Sequence, residues 1–249
     1  MKYMGSKARI AKEIIPIIQS YIDKNNIDTY IEPFVGGANV IDKIKCKRKI
    51  GTDKNRYLIG LLTWVSNGGY IEETLNKEYY DKVRTSYNCQ DGKYEDYEYG
   101  RVGFLGSYNG RFFDGGYAKA GHEKLKNGGE RYRDYYRESR DNLLSQDISG
   151  IEFKVRDYKE WDEELSKGGF VIYCDPPYAN TTEYKSAKDF DWKDFWELMR
   201  KWSKNNIVLV SEQTAPEDFE CIWEKSVSRS IKSKDKSRAT EKMFKYKGE

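Results

Sequence analysis

The run Val171-Ile172-Tyr173-Cys174 passes directly into Asp175-Pro176-Pro177-Tyr178. Four apolar or strand-favouring residues are followed by two prolines, which fix φ and remove backbone donors, so the regular element must stop there. The pattern predicts a buried strand whose carboxyl end delivers a rigid loop carrying an acid and an aromatic ring. Open α/β sheets bind their ligands at that edge. At 249 residues the chain is long enough for one large domain, or for a core with a smaller insertion.

Two upstream stretches repeat the theme. Thr29-Tyr30-Ile31-Glu32 reads as a strand running into Pro33-Phe34-Val35-Gly36-Gly37-Ala38-Asn39-Val40, a glycine turn that predicts a following helix. Glycines there let backbone amides approach a cofactor, although an ordinary βαβ unit would also place them so. Lys49-Ile50-Gly51-Thr52-Asp53 gives a second strand, ending in an acid 17 residues after Gly36. Such an acid suits ribose hydroxyls. Before both lies Tyr3-Met4-Gly5-Ser6-Lys7, a small-residue turn whose lysine stands beside a predicted helix start, an arrangement suited to anions. The helix expected over residues 8–21 carries Ile10, Ile14, Ile15, Ile17, Ile18 and Tyr21 as its stripe, with Pro16 bending or dividing it.

Further strands are expected at residues 150–158, 206–212 and 219–223, and a closing edge strand at 241–246. Helices are expected at 57–65, 161–165 and 191–202. Asp157 and Tyr158 end the first of these strands and so could border a purine.

Between about residues 75 and 147 the periodicity fades. A glycine- and ring-rich stretch at 103–117 precedes a helix expected over 130–144, striped by Tyr132, Tyr135 or Tyr136, Ser139 and Leu143 and ringed by arginines. Rings beside a basic helix can stack bases and track phosphates; the plainer reading is a helix packed by tyrosines and solvated by paired arginines. Lys and Arg total 44 against 41 acids, so any nucleic-acid surface must arise by local segregation. Residues 225–247 supply it, with nine Lys or Arg against Asp235 and Glu241, a local balance of +7. Four scattered cysteines without a CxxC pair argue against a zinc cluster or disulfide scaffold, and His122 has no metal-ligand spacing around it. No run of membrane-spanning length and no signal-peptide core follow Met1, so a cytoplasmic location is expected.

Asp175-Pro176-Pro177-Tyr178 resembles the Asp-Pro-Pro-Tyr motif of amino-directed DNA methyltransferases, and the resemblance implies methylation of a planar amine. The amine is a poor nucleophile while its lone pair is delocalised, and an acceptor holding its N–H restores density on nitrogen. Asp175 would accept one amino hydrogen and the Pro176 carbonyl the other, while Tyr178 stacks on the base. No metal is needed.

The joint order Tyr3-Met4-Gly5-Ser6-Lys7, Glu32-Pro33-Phe34-Val35-Gly36-Gly37, Asp53 and Asp175-Pro176-Pro177-Tyr178 resembles the Dam-type (alpha-group, D12 class) DNA N6-adenine methyltransferases, in their phage- and mobile-element-like form. The resemblance implies an α/β fold: a Rossmann-like S-adenosylmethionine-dependent methyltransferase core, residues 1–56 and 147–249, with an inserted, mainly helical target-recognition domain at 57–146. It implies methyl transfer to adenine N6 at a specific DNA sequence, of the type found in restriction-modification, releasing S-adenosylhomocysteine. Cofactor residues would be Tyr3, Lys7, Glu32, Pro33, Phe34, Gly36, Gly37, Asp53, Asp157, Tyr158 and Asp175; catalytic residues would be Asp175, Pro176, Pro177 and Tyr178. Candidate contacts to double-stranded DNA are Asn109, Arg111, Arg133, Arg137, Lys232, Lys234, Lys236 and Arg238, with no metal, no membrane partner and room for a weak homodimer. Ala38 stands where many relatives carry a third glycine, and the middle segment does not align with the sequence-reading hairpin of Dam. The alternatives are an amino-methyltransferase of cytosine N4, RNA or protein glutamine, and an inactive nucleic-acid-binding relative.

Overall fold

A computed structural model describes residues 1, 3, 5–124, 128–177, 190–228 and 238–248, with backbone alone at 227, 228, 238 and 239. Helix α1 (Ala11–Lys24) is followed by strands β1 (Thr29–Glu32) and β2 (Arg48–Asp53) and by helices α2 (Arg56–Ser66), α3 (Lys77–Cys89) and α4 (Asp96–Gly100). A π-helical turn, Arg101–Leu105, continues α4. The hairpin β3 (Gly121–Lys124) and β4 (Glu130–Arg133) leads to α5 (Tyr135–Leu144), β5 (Glu152–Val155), α6 (Asp162–Leu165) and β6 (Phe170–Cys174). The chain then forms α7 (Trp192–Ser203), β7 (Ile207–Glu212), β8 (Phe219–Ser228) and β9 (Arg238–Tyr246).

Among the described residues seven strands share one sheet in the order β5-β2-β1-β6-β7-β9-β8. β1 pairs in parallel with β2 and β6, and β6 with β7, so this α/β sheet is mostly parallel and its central strands end on one edge. β9 runs antiparallel between β7 and β8 and is not the expected edge strand. The reason is that Met243 and Phe244 are buried, and a strand with buried residues is best held by partners on both sides.

The chain divides into two compact units, one of residues 1–11, 35–43 and 53–155, the other of 12–34, 44–52 and 156–249. The second has a core of Ile172, Cys174, Val208 and Val210 covered by Phe195, Trp196, Met199 and Trp202 of α7. Those α7 positions recur at helical spacing, and Asp191 caps the helix by accepting from the Asp194 N–H. α1 runs on through Pro16, so the proline does not divide it into two helices. Burial of Ile14, Ile18 and Ile22 outweighs the one lost hydrogen bond, and Ile15, Ile17 and Tyr21 flank that stripe only half-buried.

In the first unit α2 and α4 approach closely. A Cβ on Gly100 would lie 2.2 Å from the Tyr57 carbonyl, and one on Gly60 would lie 2.9 Å from the Tyr97 nitrogen. Only glycine fits at either place. The Trp64 and Tyr97 rings stack at 4.0 Å, and Arg56 pairs with Asp96 at 2.8 Å. The helix expected over 130–144 is half that element: Glu130–Arg133 is a strand paired with Gly121–Lys124, and α5 starts only after Asp134, whose carboxylate accepts from the Arg137 N–H. Tyr136, Ser139 and Leu143 are buried as the stripe requires, whereas Tyr132, on the strand, is 61% exposed.

Candidate active site

In the first unit the glycine turn of residues 35–40 is closed by a hydrogen bond from the Ala38 N–H to the Val35 carbonyl, 3.0 Å. The expected helix after it is a single 3-10 turn, Ile41–Lys43. Tyr3 lies against the turn: a Cβ on Gly36 would stand 3.0 Å from the Tyr3 ring, and one on Gly37 would stand 2.8 Å from the Tyr3 Cβ and 2.7 Å from Asn39 Nδ2. A side chain at Gly37 would therefore collide with the wall of the turn.

Asp53 binds the same turn from β2. Its Oδ2 accepts from the Gly36 N–H at 3.3 Å and its Oδ1 from the Asn55 N–H at 2.9 Å. Burial raises the carboxyl above the ordinary range, only partly offset by those two N–H donors. A carboxylate has about four acceptor directions, and these bonds use two of them; the Lys54 N–H and charge also lower the carboxyl. Lys7 is buried in the 3-10 turn Lys7–Arg9, which Ser6 caps by accepting from the Ala8 N–H. A buried ammonium requires anionic or hydrogen-bonding company, the property that suits it to a carboxylate.

In the second unit Glu32 ends β1, is buried, and accepts from the Tyr30 hydroxyl at 2.7 Å. The Pro33 carbonyl accepts from Thr52 Oγ1 at 3.4 Å, and Thr52 Oγ1 in turn accepts from Trp161 Nε1 at 3.0 Å. This chain of bonds ties the carboxyl ends of β1 and β2 to the turn after β5. Phe34 sits 5.0 Å from the Tyr158 ring, and Tyr158 stacks on Phe190 at 5.4 Å. Tyr158 is 5% exposed, and its hydroxyl is buried without a hydrogen-bond partner among the described residues. Asp157 accepts from the Lys159 N–H at 3.0 Å and so starts the 3-10 turn Tyr158–Trp161.

Asp175 follows the last residue of β6, between the buried Cys174 and the buried Pro176. The strand beneath it is held by a 2.7 Å bond between the Tyr173 and Ser211 hydroxyls. Burial, and after it the neighbouring Asp175 charge, push the Tyr173 hydroxyl and the Cys174 thiol well above their ordinary ranges. Both groups stay neutral. Tyr178 lies outside the described residues.

Of the expected DNA contacts, Asn109 and Arg111 are exposed, Asn109 at φ 56°. Arg137 is exposed, 3.8 Å from Glu73. Arg133 is tied to Glu138 through Nε at 3.0 Å, to Glu123 at 3.4 Å, and lies over the Tyr135 ring. Lys232, Lys234 and Lys236, and the side chain of Arg238, lie outside what is described. The three phenylalanines of the 103–117 stretch pack inward, Phe104 and Phe113 each 3% exposed and Phe112 on Tyr57, whereas Tyr108 is 47% exposed. Residues that motif reading passed over are Gln146, Asn39 and Phe190. The first two touch the glycine turn and the third touches Tyr158. Asn39 lies within the quoted glycine turn, whereas the neighbourhoods of Gln146 and Phe190 carry no motif that could have marked them.

A family profile described as D12 class N6 adenine-specific DNA methyltransferase matches residues 3–240. The chain belongs to this family. Its D12 class membership accounts for the joint presence of the glycine turn, Asp53 and the Asp-Pro-Pro loop, and gives the chemistry: S-adenosylmethionine-dependent methylation of adenine N6 in DNA. Similar proteins include the type II methyltransferase M.MjaIII of Methanocaldococcus jannaschii, 25% identical, covering 88% of this chain and 85% of that protein. The DNA adenine methylase of Haemophilus influenzae is 29% identical over 72% of this chain and 63% of its own length. Among solved structures the rRNA methyltransferase aviRa of Streptomyces viridochromogenes aligns over 99% of this chain and 87% of its own, with TM-score 0.42 and 12% identity. The first unit fits the cofactor of a D12 class enzyme, because it offers a side-chain-free cradle at Gly37 and a carboxylate with unspent acceptor directions at Asp53.

Proposed function

We propose that this chain is a site-specific adenine methyltransferase acting on double-stranded DNA, with Asp175 as the residue that activates the adenine amino group. One observation carries the assignment of Asp175: an acid placed between two buried residues at the carboxyl end of a central parallel strand and fixed by the following prolines.

Residues of the glycine turn with Tyr3, Lys7 and Asp53, and Glu32, Pro33, Phe34, Asp157 and Tyr158, are assigned to S-adenosylmethionine. The bound cofactor supplies an electrophilic methyl on a sulfonium sulfur. Asp53 receives the ribose hydroxyls on its remaining acceptor directions, and Lys7 pairs with the carboxylate. Asp175 accepts one N6 hydrogen and the Pro176 carbonyl the other, which localises the nitrogen lone pair for in-line attack. As the N–C bond forms and the C–S bond breaks, the excess amino proton is lost towards Asp175. Tyr178, which follows Pro177, is assigned to stacking on the base, which must leave the duplex stack to be reached. Residues 57–146 are assigned to target recognition, with Asn109, Arg111 and Arg137 as exposed candidates. Arg133 is assigned to orienting the β4–α5 corner, since two glutamates already neutralise it.

The test is transfer of labelled methyl from S-adenosylmethionine to duplexes covering all short sequence contexts, followed by nucleoside analysis and site mapping. N6-methyladenine confined to one motif is the expected result. Label on cytosine N4, or on RNA or protein in place of DNA, would overturn the reading.

A further inference from the structure

Ala38 holds φ 54°, a left-handed conformation that glycine adopts freely and that a Cβ resists. It is nonetheless fully buried in the turn assigned to the cofactor. The side chain of Gln146 meets it there: Nε2 donates to the Ala38 carbonyl at 2.8 Å and to the Gly37 carbonyl at 3.0 Å. A longer contact of 3.5 Å reaches Asn39 Oδ1, and Oε1 accepts from the Met1 nitrogen at 2.6 Å.

Gln146 is itself held in place. Its N–H donates to the Leu143 carbonyl at 3.1 Å, and its own carbonyl accepts from the Ile148 N–H at 3.1 Å, so the backbone just past α5 is fixed at both sides. Its carboxamide spends both protons on two consecutive carbonyls of one turn, 108 and 109 residues away in sequence. Two such bonds set the orientation of both peptide planes. The Gly37 carbonyl shares its peptide plane with the Ala38 N–H that closes the turn on the Val35 carbonyl, and the two planes flank the Ala38 φ and ψ.

We propose that Gln146 is a positioning residue for the cofactor turn, binding the Gly37 and Ala38 carbonyls to hold Ala38 in the left-handed conformation that its methyl group disfavours. It touches no reacting atom; it acts through the turn. The proposal rests on the assignment of this turn to S-adenosylmethionine, and its test must separate the two.

The test measures S-adenosylmethionine affinity by calorimetry, and kcat and KM for the cofactor, in the wild type and in Asp53→Ala, Gln146→Ala, Ala38→Gly and the Gln146→Ala/Ala38→Gly pair. Gln146→Ala is expected to weaken affinity about tenfold, roughly 1.4 kcal/mol, and to raise KM in step while kcat at saturating cofactor stays within about twofold. The double variant is expected to recover most of that loss, because glycine takes the left-handed conformation without being held there. Gln146→Glu keeps the side chain's size but loses the donor, and is expected to match Gln146→Ala; it serves if the alanine variant fails to fold.

Weakened binding in Asp53→Ala with normal binding in Gln146→Ala would overturn the role of Gln146 and leave the cofactor turn standing. Unchanged binding in Asp53→Ala would overturn the cofactor assignment itself, and this proposal with it. Loss of kcat together with affinity, unrelieved by Ala38→Gly, would mark Gln146 as a general structural residue and overturn the proposal.

Discussion

Asp175 and Asp53 are both carboxylates at strand ends, yet their surroundings give them different work. Asp175 lies between the buried Cys174 and Pro176 at the end of β6 and is the residue proposed to accept from the amine. Asp175→Asn keeps the shape but removes the negative charge. Cofactor affinity is expected to stay near wild type while turnover falls about a hundredfold or more. Single-turnover methyl transfer checks this, and a variant reacting at the wild-type rate would remove the role. Asp53 is tied to Gly36 and Asn55, and burial raises its carboxyl. If Asp53 receives the ribose hydroxyls as proposed, its ionised form does so, and cofactor affinity should begin to fall at a higher pH than an ordinary carboxylate would dictate, while Asp53→Asn should flatten that part of the profile. Stability runs the other way. With the folded pKa above the unfolded one, the folded chain binds the proton more tightly, so this group's contribution to stability declines as pH rises through the window between them. Calorimetric titration and thermal unfolding across that window should give slopes of opposite sign for the wild type and weaker slopes for the variant.

At the scale of elements, α4 and the π-helical turn after it are organised by a buried charge. Arg101 is 3% exposed and binds Glu98 through Nε at 2.8 Å and through Nη2 at 2.5 Å. Its Nη1 donates to the Tyr136 hydroxyl at 2.9 Å and pairs with Glu72 at 3.1 Å. Tyr79 also donates to Glu98, at 2.7 Å. α3, α4 and α5 therefore meet at one guanidinium. Removing it strands the buried Glu98, and Arg101→Ala is expected to cost about 3–5 kcal/mol of unfolding free energy. Chemical denaturation measures this; a loss below about 1 kcal/mol would show that the network relaxes around the gap. This network is not legible in the sequence, where residues 91–99 fall in the stretch whose periodicity fades and no apolar period marks α4. α2, by contrast, is expected from its apolar run and is present, with Asn55 as its cap.

The whole chain is nearly balanced in charge, +3 in total, so its attraction to DNA must come from where the cations are. Residues 225–247 carry more net positive charge than the entire protein. If Lys232, Lys234, Lys236 and Arg238 neutralise phosphates, replacing all four by Gln should lower the slope of log affinity against log salt by about 0.9 for each phosphate that is no longer neutralised. Affinity should fall about equally for cognate and non-cognate duplexes, since phosphate contacts carry no sequence information. Anisotropy titrations over a salt series measure both quantities. An unchanged slope would move the phosphate contacts elsewhere. Among the described residues no helix is long and apolar enough to cross a membrane.

The sequence by itself determined the central strands, the glycine turn, Asp53 and the Asp-Pro-Pro loop. Those features depend on local rules: apolar runs, glycine where the backbone is crowded, proline where an element must stop. Tertiary structure decided what local rules do not reach. It placed β9 inside the sheet rather than at its edge, divided residues 130–144 between a strand and a helix, and spent Phe104 and Phe113 on the interior. It also brought Gln146 to the carbonyls of Gly37 and Ala38, a meeting of residues more than a hundred positions apart. Strand pairing, ring packing and a side chain's choice of carbonyl depend on partners distant in sequence, and only the folded chain supplies them.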